Sequence, residues 1–117
     1  MFDYKRVVII LPERLGDALF HTPSIRLLRQ SKPNLTIGVI ALSPLCASVI
    51  ENNPDIDHIY TLPDQKTTQQ IARDYDVALN VHNHSASRRY VGWLNLPTLT
   101  EHTPDPSRHQ SRQSLDD

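Results

Sequence analysis

A short segment near the start of the chain carries the residues best suited to chemistry: Arg14-Leu15-Gly16-Asp17, directly after the run Val7-Val8-Ile9-Ile10-Leu11. Gly16 lets the backbone turn sharply and approach a ligand closely. Asp17 stands where a helix is expected to open, a position that favours a carboxylate through the helix dipole. The same position suits a general base facing a bound hydroxyl. Position alone does not separate a capping role from a catalytic one. Arg14 is a phosphate contact or a solvated loop residue. The segment is not a Walker loop, because no Gly-Lys-Ser/Thr follows, and it lacks the Gly-x-Gly-x-x-Gly of dinucleotide sites.

A second polar group, His82-Asn83-His84-Ser85, follows an apolar stretch at residues 77–81. His82 and Asn83 suit a rim that contacts a sugar or phosphate. Two histidines at i,i+2 are no metal site without a cysteine or carboxylate to complete the set, so no metal is assigned. Arg88 and Arg89 suit acidic lipid headgroups or a phosphate, or form a solvated helix face. Thr22, before Pro23, is expected to cap a restarted helix and joins the substrate-binding candidates. Cys46 reads as a small core residue. Tyr90 and Trp93 read as packing residues, His21 as an interior histidine, and His58 as incidental.

The elements that must position these residues follow from periodicity. Residues 7–11, mostly β-branched, suit a strand buried on both faces. Leu19, Phe20, Ile25, Leu27 and Leu28 are spaced for one helix face, with a kink or restart at Pro23. Pro33-Asn34 stops that helix. Residues 35–42 form a second strand, in which Gly38 marks close backbone packing. Ser43-Pro44 is an N-cap followed by proline at the first helical position, and Leu45/Val49 and Cys46/Ile50 pair at i,i+4. Residues 58–62 read as strand, 65–74 as helix, 77–81 as strand and 85–94 as helix. Strands alternating with helices argue a parallel sheet with helices on both faces. An order of 3-2-1-4 would place the first strand centrally. Ligands collect in such sheets at the carboxyl ends of the strands, which draws the segment after residue 11 and the one after residue 81 together.

Composition bounds the rest. At 117 residues the chain is one domain or part of one. A net charge of -1 with scattered Lys and Arg gives no nucleic-acid footprint. A single cysteine fits a reducing compartment, and no stretch approaches the ~20 apolar residues of a membrane span. The cytoplasm is the default location. Residues 98–117 hold only Leu99 and Leu115 as apolar residues, with Pro104 and Pro106. Such a stretch cannot bury enough surface to offset its ordering entropy. It is expected to be a poorly packed tail without a further strand, the domain proper ending at residue 97.

Arg14-Leu15-Gly16-Asp17-Ala18-Leu19 followed by His21-Thr22-Pro23-Ser24-Ile25-Arg26-Leu27-Leu28-Arg29 resembles the N-terminus of the lipopolysaccharide heptosyltransferases of glycosyltransferase family 9. Pro33-Asn34, Asn53-Pro54-Asp55-Ile56-Asp57 and Tyr75-Asp76-Val77-Ala78-Leu79-Asn80 continue the resemblance in order. It implies a GT-B enzyme of two Rossmann-like domains. The first accepts a lipid-linked saccharide; the second binds a nucleotide-activated sugar such as ADP-heptose. It implies an inverting reaction without a tightly bound metal or other cofactor, at the inner face of the inner membrane with peripheral membrane contact. Asp17 matches the family's proposed base, with Arg14, Gly16, Thr22, His82, Asn83 and Arg88 around the substrate. Many members carry Arg or Lys and Ser where this chain has Leu11 and Glu13. Glu13 places a second negative charge beside Asp17, which raises a carboxyl pKa and repels a phosphorylated acceptor. A family 9 sugar transferase of broader kind is therefore the better expectation. The sequence holds no donor domain, so the chain is expected to be an N-terminal part without activity alone. Two further readings stand beside this one: a stand-alone flavodoxin-like binding or regulatory module, and an interaction protein whose sheet edge pairs with a partner.

Overall fold

The computed structural model describes residues 4–12, 21–81 and 85–100. Five strands, β1 (Arg6–Ile10), β2 (Thr36–Ala41), β3 (His58–Thr61), β4 (Val77–Asn80) and β5 (Thr98–Thr100), form one sheet in the order β3-β2-β1-β4-β5. Every pairing is parallel. Four helices lie among them: α1 (Thr22–Ser31), α2 (Pro44–Ile50), α3 (Gln65–Ala72) and α4 (Ser85–Leu94).

Alternation along the strands divides the core in two. Val7, Ile9 and Leu11 of the first strand region pack with Ile37, Val39 and Val77 beneath Ile25 of α1 and Cys46 and Ile50 of α2. Val8, Ile10, Ile40 and Ala78 pack on the other face beneath Ile71 of α3 and Tyr90 and Leu94 of α4. The four apolar residues of β1 are at most 1% exposed. Each such side chain contributes roughly 1.5–3 kcal/mol by leaving water, and burial of both faces is what a strand inside a two-sided parallel sheet shows.

Several sequence expectations hold. Ser43 caps α2, its Oγ accepting from the Cys46 N–H at 3.1 Å. Cys46 is a buried core residue. Tyr90 is buried and meets Trp93 edge-on at 5.2 Å between ring centroids. Gly38 lies under the Tyr75 ring: a Cβ there would come within 2.3 Å of Tyr75 Oη. The strand order is the Rossmann one, with β1 and β4 adjacent, and differs from the 2-1-3-4-5 order of flavodoxin-like folds. This removes the flavodoxin-like reading.

Others are corrected. The sheet continues past residue 97: Ala78, Leu79 and Asn80 pair with Thr98, Leu99 and Thr100. Three residues with one leucine carry no recognisable period, and here pairing with β4 supplies the strand. Thr22 is not the cap of α1. His21 holds that position, its side chain not capping the helix, and Pro23 lies in the first turn, where its missing N–H costs nothing. Leu27, Leu45 and Val49 are exposed at 64%, 59% and 42%. In α2 the core pair is Cys46/Ile50 alone. The expected helix at residues 18–20 and the chain beyond residue 100 lie outside the described residues.

The amino end of the sheet is tied by two aspartates, each one residue ahead of a strand. Asp57 accepts from the Ile37 N–H and from Arg29 Nη2, both at 2.8 Å. Arg29 also donates to the carbonyls of Pro33, Leu35 and Asp55, which fixes the end of α1 to the starts of β2 and β3. Asp76 accepts from the N–H groups of Lys5 and Arg6 at 3.0 Å. Arg6 in turn donates to the Asp74 carbonyl and lies 5.4 Å from the Tyr75 ring centroid.

Candidate functional site

The reversal of strand order between β1 and β4 defines a crevice at their carboxyl ends, the usual ligand position in an open α/β sheet. Ile10 and Asn80 are register partners, and the ladder continues through Val81 N–H to the Ile10 carbonyl at 3.4 Å. Leu11 N–H donates to the Ile40 carbonyl at 3.2 Å. The chain therefore enters segment 13–20 and segment 82–84 from two adjacent strands. Arg14, Gly16, Asp17, His82 and Asn83 belong to those segments and lie outside the described residues.

The described residues around the crevice are mainly apolar. His21, Ser24, Ile25 and Leu28 of the α1 region enclose a cavity of about 40 Å³ with Ile9, Leu79 and Val81. His21 is half-buried rather than interior, and lines this cavity with Leu79 and Val81. Asn80 is the one polar residue of β4 and is 2% exposed. A polar side chain at the last position of a buried strand is a signal that the sequence reading passed over.

Thr22 and Arg88, the two candidates within the described residues, are not brought together. Thr22 is half-buried and lines an open groove of about 530 Å³ with Pro23, Arg26, Val49, Asn53 and Asp55. That groove runs between α1 and the turn before β3. Arg26 reaches Asp55 across it at 3.6 Å. Arg88 is exposed in the first turns of α4, on the opposite face of the sheet.

Charge at the carboxyl end is set by few groups. Asp64 caps α3, accepting from the Thr67 N–H at 2.7 Å. That bond, the Thr67 hydroxyl and the nearby Lys66 hold its carboxyl below the usual range. Lys66, Arg88 and Arg89 are exposed, and no ion pair engages them among the described residues. At the amino end, partial burial opposes charge on Asp57, but the Ile37 N–H and Arg29 outweigh it and lower its pKa. Burial, then the Tyr60 hydroxyl at 3.1 Å, pushes the Tyr75 phenol upward. Burial raises Tyr90 likewise. Among the described residues no group of three His, Cys, Asp or Glu could hold a metal, and no helix is long and apolar enough to cross a membrane.

This is a Rossmann-like α/β architecture with its crevice at the β1–β4 boundary. Two solved structures share it. A glycosyl transferase family 9 protein from Veillonella parvula DSM 2008 superimposes with a TM-score of 0.67 at 24% identity, over 85% of this chain and 32% of its own. Apo saccharopine dehydrogenase (L-Glu forming) from Saccharomyces cerevisiae gives 0.57 at 13% identity, over 91% of this chain and 23% of its own. At these identities the likeness is one of fold. The chain spans about a third of the length of the Veillonella protein. No family model matches the chain, and no curated protein matches it.

Proposed function

We propose that this chain is the acceptor-side domain of a family 9 glycosyltransferase. The observation that carries the reading is a coincidence of motif and topology. Leu15-Gly16-Asp17 directly follows the strand at which the sheet order reverses. The fold shared with the Veillonella glycosyl transferase supports it. In this reading Asp17 takes the proton from an acceptor hydroxyl as that oxygen attacks the anomeric carbon, and the bond to the nucleotide breaks with inversion. Arg14 and Gly16 hold the acceptor beside Asp17. His82 and Asn83 contact its sugar or phosphate groups. The acceptor is a lipid-linked saccharide of the lipopolysaccharide-core kind, and the donor is a nucleotide-activated, heptose-like sugar held by a second Rossmann-like domain. Transfer needs both substrates positioned together.

The test fuses this chain to the nucleotide-sugar domain of a related enzyme and measures transfer. Asp17→Asn keeps size and much of the capping ability but removes the base. It is expected to lower turnover by about two orders of magnitude or more. Near-normal turnover in an active fusion would reduce Asp17 to a helix cap. The unfused chain is expected to bind a core saccharide weakly and to transfer nothing.

A further inference from the structure

Asp55, in the turn before β3, is a buried acid whose carboxylate the fold does not use. The residue is 8% exposed. Its backbone serves the fold: the N–H donates to Asn53 Oδ1 at 2.8 Å, and the carbonyl accepts from Arg29 Nη2 at 3.0 Å. Among the described residues no hydrogen bond reaches the carboxylate. Its ion-pair partner Arg26 holds Nη1 at 3.6 Å from Oδ2, beyond hydrogen-bond reach. An ionised carboxylate is an acceptor only. Acceptors on a residue this buried are nearly always satisfied, so one that is not points to a partner outside the described chain.

The carboxyl group belongs to the open groove of about 530 Å³ that runs between α1 and the turn before β3. That volume falls within the roughly 300–1,000 Å³ of ligand clefts. Thr22 and Arg26 of α1 supply polar groups on one side, and Asn52 and Asn53 supply them on the other. The Asn53 amide oxygen is taken by the Asp55 N–H, so what Asn53 offers a ligand is its NH2. Pro23, Val49, Ile50 and Pro54 make the apolar remainder. Val49 is exposed and belongs to neither core cluster.

These features select a class of ligand. The Asp55 carboxylate calls for hydrogen-bond donors. One positive and one negative side chain line the groove, so a charged ligand meets a like charge whichever its sign, and like charges brought together disfavour binding. A neutral molecule rich in hydroxyl groups is left. A sugar ring is built this way, with hydroxyls projecting from its edge and C–H groups on its faces. The edge suits the carboxylate, guanidinium and amide groups, and the faces suit proline and valine.

We infer that the groove between α1 and the turn before β3 binds a neutral saccharide. Ring hydroxyls donate to the Asp55 carboxylate, Arg26 and the Asn53 NH2 donate to sugar oxygens, and a ring face rests on Pro23 and Val49. The inference rests on the acceptor-domain reading and deepens it, by giving a place to rings of the acceptor beyond the one that meets Asp17. Thr22 follows Asp17 by five residues, a length of chain that spans at most roughly 17 Å. A short oligosaccharide therefore reaches both. The test uses neither a sugar donor nor Asp17, so either reading can fail alone.

The experiment titrates the isotope-labelled full chain with neutral trisaccharides and follows its amide resonances. The probes are maltotriose, mannotriose and the N-acetylglucosamine trimer. At least one should give saturable shifts at Arg26, Asn52, Asn53 and Asp55, with a Kd in the millimolar range. The galacturonic acid and glucosamine trimers, anionic and cationic, should bind at least about tenfold more weakly. Asp55→Asn keeps the shape and the backbone bonds but removes the charged acceptor, and should weaken binding about tenfold or more. Val49→Ser changes an exposed position, leaves the fold intact and removes an aliphatic wall. It should weaken binding about fourfold, the worth of one buried methylene. Gln69→Ala, exposed on α3 across the sheet, should leave affinity unchanged. Absence of saturable shifts with all three neutral trimers, equal binding of a charged trimer, or parental affinity in both groove variants would each overturn the inference. So would shifts at the same residues that follow protein concentration without saccharide, since they would give the groove to a second copy of the chain.

Discussion

The two ends of the sheet are built on opposite principles. At the amino end several charged groups have a partner inside the chain: Asp57 with Ile37 N–H and Arg29, Asp76 with the N–H groups of Lys5 and Arg6, Arg6 with the Asp74 carbonyl. At the carboxyl end the described cations have no ion-pair partner there, and two leucines, Leu45 and Leu62, face outward. A parallel sheet brings all its strand starts to one end and all its strand finishes to the other, so one end can be spent on holding the fold together. The other is then free to carry function. The sequence motifs divide in the same way. Asn53-Pro54-Asp55-Ile56-Asp57 and Tyr75-Asp76 lie at the amino end and act on stability, whereas Arg14-Leu15-Gly16-Asp17 follows a carboxyl end.

Substitutions can break or sharpen this contrast. The largest expected effect is the loss of transfer by Asp17→Asn in the fusion, which should leave the melting temperature nearly unchanged. An equal loss of stability would place Asp17 with the structural group instead. Next, Gly38→Ala drives a methyl into the Tyr75 ring. Overpacking of this kind costs about 1–3 kcal/mol, and urea unfolding should show it. Third, Asp57→Ala leaves Ile37 N–H and Arg29 without their acceptor, at about 1–2 kcal/mol for a partly exposed site. A midpoint within error of the parent would show that the amino-end ties are incidental.

The same residue predicts a pH dependence. The folded Asp57 has a pKa below its ordinary 3.8. Its contribution is therefore complete above about pH 4 and is lost as pH falls through the lowered folded value. Acid unfolding of Asp57→Asn should be shallower than that of the parent below pH 4, and parallel curves would contradict the assignment. The smallest effect is expected at Gly92→Ala, where open space and ordinary helical backbone leave only the helix propensity. A gain of about 0.5–1 kcal/mol follows.

The architecture was readable because its signals are local and strong. An unbroken β-branched run marks the central strand, Ser43-Pro44 marks a helix start, and a glycine inside β2 marks the seat of a large ring. β5 escaped because its stabilisation lies in pairing with β4, across twenty residues of sequence from Ala78 to Thr98. The exposure of Leu27, Leu45 and Val49 escaped because periodicity gives a face without its depth. The left-handed backbone at Leu62 has no sequence signal at all, since leucine does not advertise it. As for the site, its motif is visible in the sequence after β1, while Arg14, Gly16, Asp17, His82 and Asn83 lie outside the described residues. His21 and Asn80 escaped because their value depends on neighbours from other strands. The grouping of Thr22 with Arg88 failed to converge because α1 and α4 cover opposite faces.

The two aspartates ahead of β3 and β4 have one more effect. A parallel sheet has no hairpin turn to set the alignment of neighbouring strands, and a slip of one residue would move every side chain to the other face. Asp57 and Asp76 measure that alignment directly, since each carboxylate meets its N–H partners in one register only. For the β2–β3 and β1–β4 pairs the alignment is thus marked at the strand starts. The connections that leave the strand finishes are relieved of that duty, so their lengths and sequences can diverge without shifting the sheet, and one scaffold can acquire new substrates by changing them alone.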